Sequence, residues 1–133
     1  AKKKTAPTEH EFWALAIARR GRILVERRPT TGLLAGLWCL PLIPREASGV
    51  KLKLKPAEIR ALTGIRVRRV RIDADAAPVK HVFSHRIWRL WPCTAAVVGD
   101  LEAPPGMMWI AAGERPDGGI PRLTEKVLAR LGY

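Results

Sequence analysis

Phe83-Ser84-His85 places an aromatic ring, a hydroxyl and an imidazole in consecutive positions, with Lys80 before them and Arg86 and Arg89 after. A serine hydroxyl donates and accepts hydrogen bonds, and a neutral imidazole carries one donor and one acceptor. Taken alone, these residue types favour a structural role, with Phe83 in the core, Ser84 in a turn and His85 solvated. Lys80, Arg86 and Arg89 are the cations nearest the triplet and the candidates for phosphate contact. Lys2 to Lys4 and the alternating Arg66, Arg68, Arg69 and Arg71 are further cations of the same kind. Trp13, Trp38, Trp88, Trp91 and Trp109 could stack on bases, but tryptophan inside an apolar run is core material, and none is assigned to a ligand.

The charge balance gives these cations a common meaning. Lys and Arg number 24 against 12 Asp and Glu, a net charge of +12. Such a chain suits a polyanion, because each cation that neutralises a phosphate releases condensed counterions. The basic residues are spread over several segments and do not line one amphipathic helix, so a membrane surface is not the expected partner. Cys39 and Cys93, the only 2 cysteines, form no CxxC pair. They cannot supply a four-cysteine zinc or iron–sulfur site within the chain, and read as buried structural thiols. No metal or cofactor is expected in these residues. Thr31 to Gly36 lacks the lysine and the glycine spacing of a P-loop.

The elements that must position these residues follow from the apolar pattern. A length of 133 residues suits one domain with one ordinary core. No apolar run approaches the roughly 18 residues a spanning helix needs. The basic start is followed by Thr5-Ala6-Pro7-Thr8, which is not the apolar stretch of a secretory signal; a cytoplasmic, soluble protein is expected. Residues 1–9 read as a basic linker and 10–133 as the domain. Phe12 to Ala18 predicts a strand buried on both faces, Arg20-Gly21 a turn, and Arg22 to Arg27 the returning strand. Arg28 to Lys55 is loop-rich but too apolar to be disordered. Pro56 to Thr63 predicts a short helix closed by Gly64. Ile65, Val67, Val70 and Ile72 share one face only if a bulge lies at Arg68-Arg69. His81 to Val98 holds strand material interrupted at Pro92. Pro121 opens a last helix with Leu123, Val127, Leu128 and Leu131 as its stripe and Gly132 as its cap. The fold class is a mixed α/β or α+β domain.

Three stretches together resemble the C-terminal, Nudix-like domain of MutY-type adenine DNA glycosylases. They are Arg28-Pro29-Thr30-Thr31-Gly32-Leu33-Leu34-Ala35-Gly36-Leu37-Trp38 with Pro41, then Lys80-His81-Val82-Phe83-Ser84-His85-Arg86-Ile87-Trp88, and finally Gly119-Ile120-Pro121-Arg122-Leu123. With the basic start and Trp109-Ile110, the resemblance covers nearly the whole chain. It implies a Nudix-type α/β/α sandwich with a mixed sheet, linked to a helical glycosylase domain that carries the catalytic carboxylate and a four-cysteine iron–sulfur cluster outside these residues. It further implies no catalytic residue in this chain and a lesion-binding role for Phe83, Ser84 and His85. The expected partners are double-stranded DNA with 8-oxoguanine opposite adenine and the catalytic domain of the same enzyme. A monomer beside the bacterial nucleoid is expected. Cys39 departs from the family, which often has an acidic residue after the tryptophan of the first stretch.

The implied role has a chemical basis. Guanine presents N7 and O6 acceptors in the major groove. Oxidation at C8 turns N7 into a donor, so a reader of the lesion wants an acceptor there, and the Ser84 hydroxyl can be one. A working hydrolase of the same fold would instead need the box GX5EX7REUXEEXGU, whose glutamates hold magnesium. Counting from Gly36 puts Leu42 at the first glutamate and Val50 to Lys55 on REUXEE. Counting from Gly32 gives Trp38 and Glu46 to Lys51. Neither register supplies a carboxylate cluster. A free-standing Nudix hydrolase of nucleoside diphosphate derivatives and a generic nucleic-acid-binding module are the rival readings.

Overall fold

The apolar run Phe12 to Ala18 forms the middle of a long strand, β1 (Thr8–Arg19), which enters the returning strand β2 (Arg22–Arg27) through Arg20 and Gly21. Both turn residues are left-handed, at φ 47 and 76. That primed two-residue turn matches the twist of the flanking strands, and it sets the register Ala18↔Ile23 and Arg19↔Arg22. The computed structural model describes residues 8–45, 54–72, 77–99 and 102–133. β1 begins inside the segment expected as linker: Thr8 and Glu9 already pair with Arg86 and Ile87. The remainder of that segment, Lys2 to Lys4 included, lies outside the described residues.

The loop-rich segment carries two short strands, β3 (Trp38–Cys39) and β4 (Leu42–Pro44). The expected helix is α1 (Pro56–Thr63), with proline in its first turn and Gly64 at φ 77 closing it through a 2.8 Å bond from its N–H to the Arg60 carbonyl. There follow β5 (Val67–Ile72), β6 (Val79–Phe83), β7 (Arg86–Val97), β8 (Met107–Ala111) and α2 (Arg122–Leu131). The bulge falls where the apolar pattern required it. Register shifts between Arg68 and Arg71, Arg69 takes φ 55, and Ile65, Val67, Val70 and Ile72 all reach one core.

All eight strands form one mixed sheet with the path β3-β2-β1-β7-β5; β4 pairs β1, β6 pairs β7 and β8 pairs β2. β1 and β7 run parallel, from Thr8↔Arg86 to Ala18↔Ala96, and the other pairings are antiparallel. Pro92 does not interrupt β7 as the sequence suggested. On the side away from β1, the β6 ladder ends at Leu90 and the β5 ladder starts at Cys93. Pro92 sits in that gap, a place where a sheet tolerates the missing N–H.

Alternation along β1 divides the core into two. Trp13, Leu15 and Ile17 pack beneath α1 with Ile59, Cys93 and Val97. Ala14 and Ala16 pack beneath α2 with Val79, Trp88, Leu123, Val127 and Leu128. The result is the α/β/α sandwich that the resemblance implied. Neither helix among the described residues is long and apolar enough to cross a membrane.

A cleft at the β6–β7 hairpin

The last ladder pair of the β6–β7 hairpin is Phe83↔Arg86, which leaves Ser84 and His85 as its two turn residues, both exposed. Phe83 supports the turn from below. Its ring meets Trp88 at 5.1 Å and His81 at 4.8 Å, both edge-on, and Trp88 meets Phe12 at 4.8 Å. The start of β1 ties the turn from the side: the Thr8 N–H and hydroxyl donate to the His85 carbonyl at 3.1 and 3.2 Å.

The opposite wall is the loop between β2 and β3. It closes on itself through Gly36 N–H to Pro29 O at 2.9 Å and Arg28 N–H to Leu37 O at 2.8 Å. Leu34 holds φ 59 there, a left-handed conformation that costs about 1–2 kcal/mol for a residue with a Cβ. The Gly119 stretch fixes this loop from behind: the Trp38 N–H donates to Gly119 O at 3.0 Å and the indole N–H to Asp117 O at 3.1 Å. A Cβ on Gly118 would meet Gly36 O at 3.6 Å. The three stretches that carried the resemblance therefore assemble into one unit. Between its walls lies an open cleft of about 730 Å³ lined by Gly32, Leu33, Val82, Phe83, Ser84, His85 and Arg86. Its size suits a base or small ligand, with a mostly apolar floor and hydroxyl, imidazole and guanidinium groups at the rim.

The candidate cations do not converge on this cleft. Arg86 pairs with Phe83 and lines it, whereas Lys80 and Arg89 face each other across the ladder and project from the other side of the sheet. Arg89 is engaged with Glu9 at 3.1 Å, beside a second hollow that holds Glu11 and Arg45. The Arg45 guanidinium lies over the indoles of Trp13 and Trp91, at 4.5 and 4.3 Å from their centroids. Arg66, just before β5, and Arg68, Arg69 and Arg71 within it are all exposed. Two further cations escaped the sequence reading. Arg122 and Lys126 stand on α2 near His81, whose imidazole is held below its ordinary pKa by desolvation and then by the charges of Lys126 and Arg122. Their i,i+4 spacing on the polar side of the last helix was the available signal.

The hydrolase box has a register that counting from the loop missed. Val50 to Lys55 and Glu46 to Lys51 fall wholly or mainly outside the described residues, and the helix that follows is α1. Ending the box on Gly64-Ile65 places its arginine at Ala57, its first glutamate at Glu58 and its apolar position at Ile59. The paired glutamates then fall on Ala61 and Leu62. Ile59 and Ile65 are buried, as that register requires, and Leu62 is 62% exposed. The packing positions are kept and a single carboxylate remains. Among the described residues no group of three or more His, Cys, Asp or Glu could hold a metal ion. Beside Leu62 a small cavity reaches Glu26, whose carboxyl is raised above its ordinary pKa by burial against a smaller lowering by Arg28. Cys39 and Cys93 are both buried free thiols, as expected, and burial pushes Cys93 to about 12.

The chain belongs to the Nudix family: the NUDIX domain profile matches residues 12–130. Its fold is similar to that of a MutT Nudix hydrolase from Burkholderia pseudomallei, with a TM-score of 0.72 and 22% identity over 93% of this chain and 98% of that one. It is similar to a MutT protein from Methanosarcina mazei, at 0.66 and 14% over 96% and 95%. The C-terminal domain of mouse MUTYH, solved in complex with human PCNA, matches at 0.58 and 22% over 92% and 86%. Identities this low establish the shared fold and nothing finer.

Proposed function

We propose that this Nudix domain reads a base in duplex DNA, 8-oxoguanine opposite adenine, as the lesion-recognising part of an adenine glycosylase whose catalysis resides in another domain. The observation that carries the reading is that two of the resembling stretches face each other across one cleft, with Ser84 and His85 exposed at its rim and the third stretch holding the first from behind. Ser84 accepts a hydrogen bond from the N7–H of the oxidised base, and Phe83 sets the height of the turn. Double-stranded DNA and the catalytic domain, with its iron–sulfur cluster, are the partners in this reading.

The second reading is a free-standing Nudix hydrolase, and overall shape favours it. The MutT hydrolase superposes with a TM-score of 0.72, against 0.58 for the MUTYH domain. Among the described residues the carboxylate pattern argues the other way, since magnesium held against a diphosphate needs more than Glu58.

One titration separates the two. The chain is followed by NMR with 8-oxoguanine:adenine and guanine:adenine duplexes, and assayed in parallel for magnesium-dependent turnover of nucleoside diphosphate derivatives. Lesion-dependent shifts centred on Phe83 to His85, without turnover, are expected. Turnover, or identical shifts with both duplexes, overturns the first reading. In the full-length enzyme Ser84→Ala is expected to weaken discrimination between the two duplexes about 5- to 150-fold, the equivalent of about 1–3 kcal/mol for an unpaired buried donor. Unchanged discrimination removes the role given to Ser84.

A further inference from the structure

Helix α2 buries Leu123, Thr124, Val127 and Leu128 against the sheet, which leaves Arg122 and Lys126 on its outer flank one turn apart. Two like charges at that spacing disfavour each other. The other charged side chains of the helix do not relieve them. Glu125 is held by Arg115, at 2.6 and 2.9 Å from Nε and Nη2, and Arg130 donates to the Ala77 carbonyl.

The element packed beside this flank is β6, and the residue facing it is His81. Lys80 and Arg89 project from the other side of the sheet, and across the ladder from His81 stands the indole of Trp88. No carboxylate faces His81 from β6, β7 or α2 among the described residues. The His81 ring leans edge-on against Phe83, the residue beneath the turn of the cleft. Among the described residues, a group of positive charges with no facing carboxylate therefore lies one aromatic ring away from the place where a base is proposed to sit.

We infer that His81, Arg122 and Lys126 form an anion site that holds a backbone phosphate of the same nucleic acid whose base enters the cleft. This rests on the nucleic-acid reading above and adds the surface that positions the duplex. The like charges of Arg122 and Lys126 are then a functional cost, relieved when a phosphate arrives. Phosphate contacts fix register and carry no sequence information, so the site contributes equally to oxidised and normal duplexes. The imidazole is held low first by desolvation and then by the two cations, and an anion between those cations offsets the second cause.

The test uses the whole chain with R122Q/K126Q, neither position being part of the buried stripe of α2. Affinity for 8-oxoguanine:adenine and guanine:adenine duplexes is measured at several salt concentrations, with NMR spectra confirming the fold. The double variant is expected to bind both duplexes about 10-fold more weakly, with a salt slope smaller by about 1, as for one phosphate that is no longer neutralised. The preference for the oxidised duplex stays unchanged. The His81 pKa, followed by NMR, rises on duplex binding in the wild type and does not in the variant. Arg60→Gln, an exposed cation on α1 across the sheet, leaves affinity, salt slope and the His81 pKa alone. If the wild type does not prefer the oxidised duplex while the variant still weakens both, lesion reading fails and the phosphate site stands. Unchanged affinity and salt slope in the variant overturn the site, as does an unmoved His81 pKa. Equally tight binding to vesicles of anionic phospholipid at the same salt overturns the assignment to nucleic acid.

Discussion

Beneath α1 the sheet buries Trp13, Leu15 and Ile17, and beneath α2 it buries Ala14, Ala16 and Trp88. Both sides are packed with similar care, yet their outer surfaces differ in kind. The α1 side retains the apolar and glycine positions of the hydrolase box, Ile59, Gly64 and Ile65, while Ala61 and exposed Leu62 stand where paired glutamates would be. Its cations Arg89 and Arg45 are engaged, the first by Glu9 and the second by two indoles. The α2 side carries Arg122 and Lys126 beside His81, and an aromatic chain from Phe12 through Trp88 to Phe83, which lines an open cleft. Residues that hold a helix on a sheet are thus separable from residues that do chemistry on that helix, and family membership follows the first set.

The comparison can be broken most forcefully in the core. Trp88→Ala is expected to cost about 3–5 kcal/mol and Ile59→Ala about 2–5 kcal/mol in urea unfolding. Only the former shifts the resonances of Ser84 and His85, because Trp88 carries Phe83; equal shifts from both would merge the two sides into one. Gly64→Ala comes next, at about 1–2 kcal/mol, since its φ of 77 strains any residue with a Cβ. A smaller loss would show the α1 terminus to be loose.

Glu26→Gln has a smaller effect and the opposite sign. A carboxyl whose folded pKa is raised disfavours the charged form in the fold. The stability it costs is absent below the ordinary carboxylate range and appears as pH rises through the raised value. The variant is therefore expected to be more stable than wild type at neutral pH and equal to it in acid, below the ordinary carboxylate range; a lower urea midpoint at neutral pH contradicts the burial argument. Leu62→Glu comes last, within about 0.5 kcal/mol of wild type, as an exposed position allows. A larger loss would mean that Leu62 contributes to the core after all.

What the sequence disclosed was local. The β1–β2 turn, both helices with their glycine caps, and the bulge at Arg68-Arg69 each depend on residues within a few positions of one another. What it withheld depends on distant partners. Pro92 reads as a breaker until the gap between the β5 and β6 ladders is known. The box register was hidden because the loop before α1 is longer than the consensus spacing, and only the buried Ile59 and Ile65 fix the alignment. Lys80 and Arg86 look equivalent beside Phe83-Ser84-His85, and strand alternation sends them to opposite sides. The triplet itself was visible as chemistry, but the Gly32-Leu33 wall that faces it was not.

The parallel pairing of β1 with β7 also dictates an order of events. Residue 8 finds its partner at residue 86, and residue 18 at residue 96, so the longest ladder in the molecule closes only after most of the chain exists. Contacts of such large sequence separation require loop closure before they return any stabilisation, and they slow folding. During synthesis β1 emerges before its partners: β2 meets it only at the hairpin tip, β4 covers Phe12 to Ala14 on one edge, and the other edge must wait for β7. The strand that anchors the cleft is then also the one most exposed to mispairing during synthesis.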